Sequence, residues 1–271
     1  MNSAIKNFFI RNHTHGKFAG ELFERQISYL FKHYIDSGDH VIDGGASYGR
    51  HSKTLSELVG TGGTVYAIEP IPELSKQLED LRRENIKIFQ VALTNKQGEG
   101  TFFLIPENSG YSGLKQRDDI PGKHSEVKIK VRLDNIDNLL SDRQVPIKFI
   151  KLDLEGGEYY AMKGGTSLLQ DDCPVILFEN GLEQTASLYG YGEQDFFGLF
   201  DEINYRIINC FAEEIDSFSS KSGAQGWQFV GVPAHLNLAQ VKGAVIMALV
   251  KSYISILFRV SLSDFEKRIG N

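Results

Sequence analysis

The stretch Val41-Ile42-Asp43-Gly44-Gly45-Ala46-Ser47-Tyr48-Gly49-Arg50-His51 decides the fold. Two apolar β-formers run into a carboxylate, three glycines follow within six residues, and a helical pattern begins directly after them. The order is strand, tight turn and helix N-terminus, the place where an α/β fold holds a nucleotide-like ligand. A glycine turn alone is a weak signal, so the rest of the chain has to supply its partners.

Upstream of the turn, residues 1–19 read as an irregular arm. Gly20 to Ile35 then sets Leu22, Phe23, Ile27, Leu30, Phe31 and Tyr34 on one helical face. Downstream, His40 to Asp43 is strand one, and Arg50 to Val59 the helix after the glycines. Thr64 to Glu69 is strand two, a helix opened by Pro70-Ile71-Pro72 runs through Glu73 to about Glu84, and Ile86 to Leu93 is strand three. Short loops between alternating strands and helices predict a parallel sheet with helices on both faces.

The alternation then breaks. Thr101 to Ile105 and Val127 to Leu133 read as strands around a polar loop, Pro106 to Ser125, which predicts a β-rich insertion near the ligand face. A short helix at about Asn135 to Leu140 follows it. The pattern resumes with strand four (Lys148 to Asp153), a helix from Glu158 to Leu169 and strand five (Val175 to Glu179). A helix from Gln194 to Ile203 leads to strand six (Arg206 to Phe211) and, after a polar loop, a last strand from Gly226 to Val232. Two strands with no helix between them predict a closing antiparallel hairpin.

The expected organisation is an arm and helix over 1–38, one ligand-binding domain over 39–233 and an apolar, basic helix over 234–271. In that tail the longest uncharged run is eight residues, Gly243 to Val250, against the ~20 needed to span a bilayer. Leu236 to Leu262 contains basic residues and no acidic one. A helix packed on the core or against a second copy is one expectation, and a helix lying at a membrane surface the other.

At 271 residues, 41% hydrophobic and 24% charged, the chain has the composition of a globular domain able to bury a full core. A net charge of −6 gives no support for a nucleic-acid binder. Cys173 and Cys210 lie in apolar runs and read as buried reduced thiols, and no Cys/His cluster has zinc-ligand spacing. The first residues lack the apolar core of a signal peptide. The expected location is the cytoplasm, at the inner face of the membrane if the tail docks there.

Three carboxylates fall where strands one, two and four end: Asp43, Glu69 and Asp153. In an open parallel sheet those ends share one edge. Glu69 comes 26 positions after Asp43, the placement of a carboxylate that takes both ribose hydroxyls of a nucleoside, in a dinucleotide or in S-adenosylmethionine. Charge separates the two. A pyrophosphate would meet Asp43 just before the turn and be repelled, whereas a sulfonium and an α-ammonium would be attracted. Gly44, Gly45 and Gly49 also depart from the dinucleotide spacing G-x-G-x-x-G.

Asp43-Gly44-Gly45-Ala46-Ser47-Tyr48-Gly49-Arg50-His51-Ser52 resembles the D-x-G-A-N-x-G-x-x-[ST] motif of FkbM-type S-adenosylmethionine-dependent methyltransferases. Ala67-Ile68-Glu69-Pro70-Ile71-Pro72 resembles their A-x-E-P-x-P, and Ala92-Leu93 their A-L after strand three. Ile150-Lys151-Leu152-Asp153-Leu154-Glu155-Gly156-Gly157-Glu158 resembles their I-K-x-D-V-E-G-A-E. The resemblance covers roughly residues 20 to 232. Ser47 stands where asparagine is usual and Gly157 where alanine is.

The resemblance implies a class I methyltransferase Rossmann-like fold, a seven-stranded, mostly parallel sheet in the order 3-2-1-4-5-7-6. It also implies S-adenosyl-L-methionine as cofactor and O-methylation of a sugar, glycolipid, polysaccharide or secondary metabolite. On that reading Gly45 and Gly49 let the backbone approach the methionine part of the cofactor. Asp43 and Ser47 orient its polar groups, Glu69 binds ribose and Ala92 lies against adenine. Asp153 and Glu155, directly after a strand, are the candidate catalytic groups near the transferred methyl. Glu158 reads as a first-turn cap, Glu179 as facing the acceptor or as an edge carboxylate, and His51 as a packing or a catalytic group. Glu24 and the loop Asn108 to Ser112 are candidates to close over the site. No spacing requires a metal. A dinucleotide oxidoreductase and a non-catalytic S-adenosylmethionine-binding adaptor acting through its tail are the competing readings.

Overall fold

The computed structural model describes residues 17–118, 120, 122–218 and 228–257. Residues 1–16 of the predicted arm and the first two residues of the predicted last strand, Gly226 and Trp227, lie outside them, while the arm's last three residues, Lys17 to Ala19, are the first of a helix. In chain order the elements are α1 (Lys17–Tyr34), β1 (His40–Gly44), α2 (Arg50–Val59), β2 (Thr64–Ile68), α3 (Pro72–Asp80) and β3 (Ile86–Phe89). The insertion follows as β4 (Ala92–Leu93), β5 (Gly98–Leu104), a 3-10 turn (Ser109–Tyr111), β6 (Val127–Asp134) and α4 (Ile136–Leu139). Then come β7 (Ile147–Leu152), α5 (Glu158–Lys163), α6 (Thr166–Asp172), β8 (Val175–Glu179), α7 (Glu183–Tyr189) and α8 (Glu193–Glu202). The described chain closes with β9 (Tyr205–Asn209), β10 (Gln228–Pro233) and α9 (Leu238–Leu257).

The main sheet has seven strands in the order β3-β2-β1-β7-β8-β10-β9. Counted along this sheet alone, that is the order 3-2-1-4-5-7-6. Strands β1, β2, β3, β7 and β8 are parallel, and β10 runs antiparallel to both β8 and β9. Central strands are covered on both faces, so they are apolar in consecutive positions: Val41 and Ile42 are both fully buried. One large cluster around Ile150, Phe178 and Phe229 packs on one face, and another around Phe31, Val65 and Phe149 on the other.

Three elements differ from the sequence expectation. Strand three splits: β3 ends at Phe89, and Ala92–Leu93 pairs instead with β6, in a second sheet ordered β4-β6-β5. The helix expected over 158–169 is two helices broken at Gly164-Gly165. A Cβ at Gly164 would stand 2.3 Å from the Thr94 carbonyl oxygen, so the break lets the helix pair seat against the start of the insertion. Helix α7, within the stretch read as a loop, buries only Ala186 and Tyr189, too little apolar pattern to be seen in advance.

Helix α9 packs along α1. Val241, Val245, Ala248 and Leu249 are buried, and Gln26 of α1 donates to the carbonyls of Val245 (3.1 Å) and Cys210 (2.8 Å). By length and composition alone, Leu238–Ile256 could cross a membrane. Its inner side is occupied by protein instead.

Candidate functional site

The glycine turn is built from below. Lys151, next to the C-terminal end of β7, is buried, and its Nζ donates to the carbonyl oxygens of Gly45 (2.9 Å) and Gly44 (3.3 Å). The same ammonium is 3.3 Å from Asp43 Oδ1 and 3.8 Å from Asp153 Oδ2. Burial works against this charge, yet Asp43 and Asp153 outweigh it and hold Lys151 above its ordinary pKa. Asp43 Oδ2 accepts from the Ser52 hydroxyl at 2.6 Å. The amides of Gly45 and Ala46 both donate to the Ile68 carbonyl, at 2.9 and 3.0 Å, which ties the turn to the end of β2. Gly45, at φ +71°, has no room for a side chain: a Cβ there would fall 1.8 Å from the Asp153 carbonyl oxygen.

Glu69 lies beside the turn, 5% exposed. Its Oε2 accepts from the Ser47 amide and its Oε1 from the Ile71 amide, each at 2.9 Å. These two bonds and Lys151 draw its pKa down, but burial prevails and the net shift is upward. The backbone donors fix the carboxylate's direction while each oxygen keeps a second lone pair for a ligand hydroxyl.

Above this frame lies a cavity of about 770 Å³ lined by Gly45, Ser47, Glu69, Asp153 and Glu155 on its polar side. Its apolar wall is Ile68, Ile71, Leu74, Val91, Ala92, Leu93, Phe102 and Leu114, from β2, α3, β4 and the insertion. A second, more open cavity of about 1940 Å³ adjoins it, sharing Gly110, Asp153 and Glu155. Its walls carry Asp118, Glu158 and Glu179 besides those two acids, with Asn180, Gln184, Thr185 and the cation Arg117.

Five carboxylates therefore face one cleft. Burial, then the charges of Asp153 and Glu179, push Glu155 up to about 9 against the pull of Arg117, whose Nη1 is 2.8 Å from Oε2. Burial, Asp153 and Glu158 push Glu179 up to about 8. Glu158 is fully buried and raised to about 7; its Oε1 accepts from the Leu154 (2.6 Å) and Gly156 (3.2 Å) amides. It caps the turn, as expected, and it also lines the cleft.

The structure thus brings Gly45, Ser47, Glu69, Ala92, Asp153 and Glu155 together around the first cavity. Asp43 and Gly49 line neither cavity. The charge of Asp43 is turned toward Lys151 and Ser52, so it braces the turn from beneath. Gly49, at φ +90°, gives up its Cβ to Leu78 of α3 and to Leu81 just beyond it, 2.8 and 2.6 Å from where that atom would be. His51 is a packing group. Its ring meets Phe31 edge-on at 5.6 Å, its Nε2 is 3.5 Å from Glu24, and burial and Lys151 lower its pKa. Glu24 also pairs with Arg50 at 3.2 Å and does not reach the cavities. The loop Asn108 to Ser112 does line them. Sequence reasoning missed Lys151 as a site residue, although a lysine inside an apolar strand was its signal, and Arg117, for which no pattern existed.

A carboxylate-rich cavity with an apolar slot fits a nucleoside bearing a positive charge and not a pyrophosphate. Fold and site together define a class I S-adenosylmethionine-dependent methyltransferase domain. The family model for the methyltransferase FkbM domain matches residues 43–207, more than half of the chain, and the chain belongs to that family. Its cofactor is S-adenosyl-L-methionine. A protein-L-isoaspartate O-methyltransferase of Methanococcus maripaludis is 43% identical over 35% of this chain and 59% of its own length. A counterpart from Aeropyrum pernix is 48% identical over 29% of each. The chain thus spans less than two thirds of these curated relatives. Among solved structures, a methyltransferase FkbM from Methylobacillus flagellatus has a TM-score of 0.43 at 14% identity, covering 85% of this chain and 58% of that one. Aeropyrum pernix fibrillarin with bound S-adenosyl-L-methionine has a TM-score of 0.41 at 11% identity, covering 76% and 73%.

Proposed function

We propose that this chain transfers the methyl group of S-adenosyl-L-methionine to a hydroxyl of an uncharged, polar acceptor, a sugar, a glycolipid or polysaccharide, or a secondary metabolite. The observation that carries this reading is the junction of the two cavities at Asp153 and Glu155. One cavity fits the cofactor, the other is open and polar, and two carboxylates stand between them. Glu69 would hold the ribose hydroxyls, the apolar wall around Ala92 and Phe102 the adenine, and the Gly45 backbone with Ser47 the methionine part. When bound, the cofactor supplies an electrophilic methyl carbon on a positively charged sulfur.

The chain's own work is to align an acceptor oxygen with that carbon and to take its proton. Glu155 is the better base, because burial and its acidic neighbours raise its affinity for a proton. Asp153 is 40% exposed at the side chain and 3.8 Å from Lys151, beside the reacting groups. Acceptors that bring their own anions, such as nucleic-acid phosphates or an isoaspartyl carboxylate, would add negative charge to a cleft where acidic crowding already holds Glu155, Glu179 and Glu158 above the ordinary carboxylate range. That is the physical support for a neutral acceptor.

The direct test is incubation of a cell extract with the protein and deuterated-methyl S-adenosylmethionine, followed by mass spectrometry. A labelled product carrying an O-methyl ether on a neutral acceptor is expected; label in RNA or on a protein carboxylate would replace the acceptor assignment. Calorimetry with S-adenosylhomocysteine tests the cofactor side. Glu69→Ala is expected to weaken binding about 10- to 100-fold, the worth of one or two buried hydrogen bonds to a charged group. Equal affinity in the variant would remove Glu69 from the site.

A further inference from the structure

The insertion delivers one cation into a cleft of acids. Its loop is pinned to β5 by reciprocal backbone bonds between Phe103 and Gly113, 2.9 and 3.1 Å. From there Arg117 reaches Glu155 Oε2 at 2.8 Å, with its guanidinium 5.4 Å over the Tyr111 ring of the 3-10 turn. Glu155 is constrained from the other side as well. Its backbone sits at φ +52°, and its carbonyl accepts from the Tyr189 hydroxyl at 3.3 Å. With Oε2 taken by Arg117, Oε1 lies toward Gly110, whose added Cβ would be 3.8 Å away, and Gly110 lines both cavities. One oxygen is held and the other is offered to the junction.

We propose that Arg117 is the positioning residue of this site: it draws the Glu155 carboxylate toward its ionised form against its acidic neighbours, aims Oε1 at the junction of the two cavities, and thereby sets the lower pH limit of methyl transfer. In that step the acceptor's proton passes to Oε1, the acceptor oxygen bonds to the methyl carbon, and the electron pair of the broken carbon–sulfur bond stays on sulfur. Among the described residues, the charges of Asp153, of Glu158 on α5 and of Glu179 at the end of β8 oppose the ionisation of Glu155, and that of Arg117 favours it. Asp118 lines the same cleft from the loop, and the Tyr189 hydroxyl of α7 reaches the Glu155 carbonyl. A positive charge within 3 Å is the strongest local reason for Glu155 to lose its proton, and a cationic cofactor in the adjoining cavity adds to it.

The proposal rests on the methyl-transfer reading only for its second readout. In the first, the full chain labelled with 13C-glutamate is titrated by NMR without cofactor or acceptor, the Glu155 signal being assigned by its loss in Glu155→Gln. Arg117→Gln is expected to raise the Glu155 midpoint by about one unit or more, and Arg117→Lys, which keeps the charge and loses the fork, by less. In the second, the acid limb of deuteromethyl incorporation should move upward with the midpoint. An unmoved midpoint in Arg117→Gln, or in Arg117→Lys should the first variant not fold, overturns the proposal. So does a midpoint that moves while the acid limb stays. If the unaltered protein forms no labelled product, the methyl-transfer reading fails, and the midpoint still decides whether Arg117 governs Glu155.

Discussion

Lys151 and Asp43 illustrate how far a single residue can be read from its neighbours in sequence. A carboxylate at the end of a strand announces a charge at the ligand edge, which found Glu69, Asp153 and Glu155. The same rule placed Asp43 at the ligand, because sequence gives the sign of a charge and not its partner; the partner is Lys151, from a strand more than one hundred residues later. Ser47 is a further case. It sits at φ +51°, in the left-handed region that asparagine tolerates better than serine. The asparagine usual in the family motif therefore has a backbone reason besides any contact with a ligand. At this scale Glu158 gives a pH-dependent prediction. Its folded pKa of about 7 stands above the ordinary 4.5, so its contribution to stability is complete below the ordinary value and is lost as pH rises through about 7. Glutamine keeps the acceptor for the Leu154 and Gly156 amides and never ionises. Glu158→Gln is therefore expected to match the parent at pH 5 and to exceed it by about 1–3 kcal/mol at pH 8.5, measured by urea unfolding at both values. A constant difference across that range would place the titration elsewhere.

Elements were legible where a period was long and illegible where a tertiary contact cut it. The parallel strands showed as runs of Val, Ile, Leu and Phe because both their faces are covered. The α5–α6 break did not show, since the apolar spacing continues through Gly164-Gly165, and the close approach of Thr94, Asn95 and Asn135 to Gly164 comes from residues distant in sequence. Strand three was read through Gln90 for the same reason: nothing local says that Ala92 leaves one sheet for another. That departure is functional. It puts Ala92 and the insertion against the first cavity, so the second sheet forms part of its apolar wall. Gly164→Ala should therefore cost about 2–4 kcal/mol, the range of overpacking combined with backbone displacement, and should weaken S-adenosylhomocysteine binding as β4 is pushed. A loss of less than 0.5 kcal/mol in urea unfolding, with unchanged binding, would mean that the elbow yields freely.

For the whole molecule, the alternation of strands and helices was enough to expect a parallel sheet with helices on both faces, while the sheet order that the structure has was expected from the family resemblance. The tail was less legible. Its apolar character suited packing on the protein's own core or a second copy, with a membrane surface as the alternative. The structure assigns its inner side to α1: Leu249 is fully buried in one cluster with Leu22, Phe23, Cys210 and Phe211, while Met247, two residues away, is 55% exposed. The two positions separate the possibilities. If α9 is an integral layer of this domain, Leu249→Ala in the full chain loses about 2–5 kcal/mol, the range for a buried leucine. Met247→Ala then changes stability by less than about 0.5 kcal/mol. A helix whose main partner is outside the chain predicts near-equal, small effects at both sites in urea unfolding of the isolated protein. The polar bonds of Gln26 favour the first outcome, because a buried amide that joins the Val245 carbonyl of α9 to the Cys210 carbonyl beyond β9 would lose the first of these partners if the helix left.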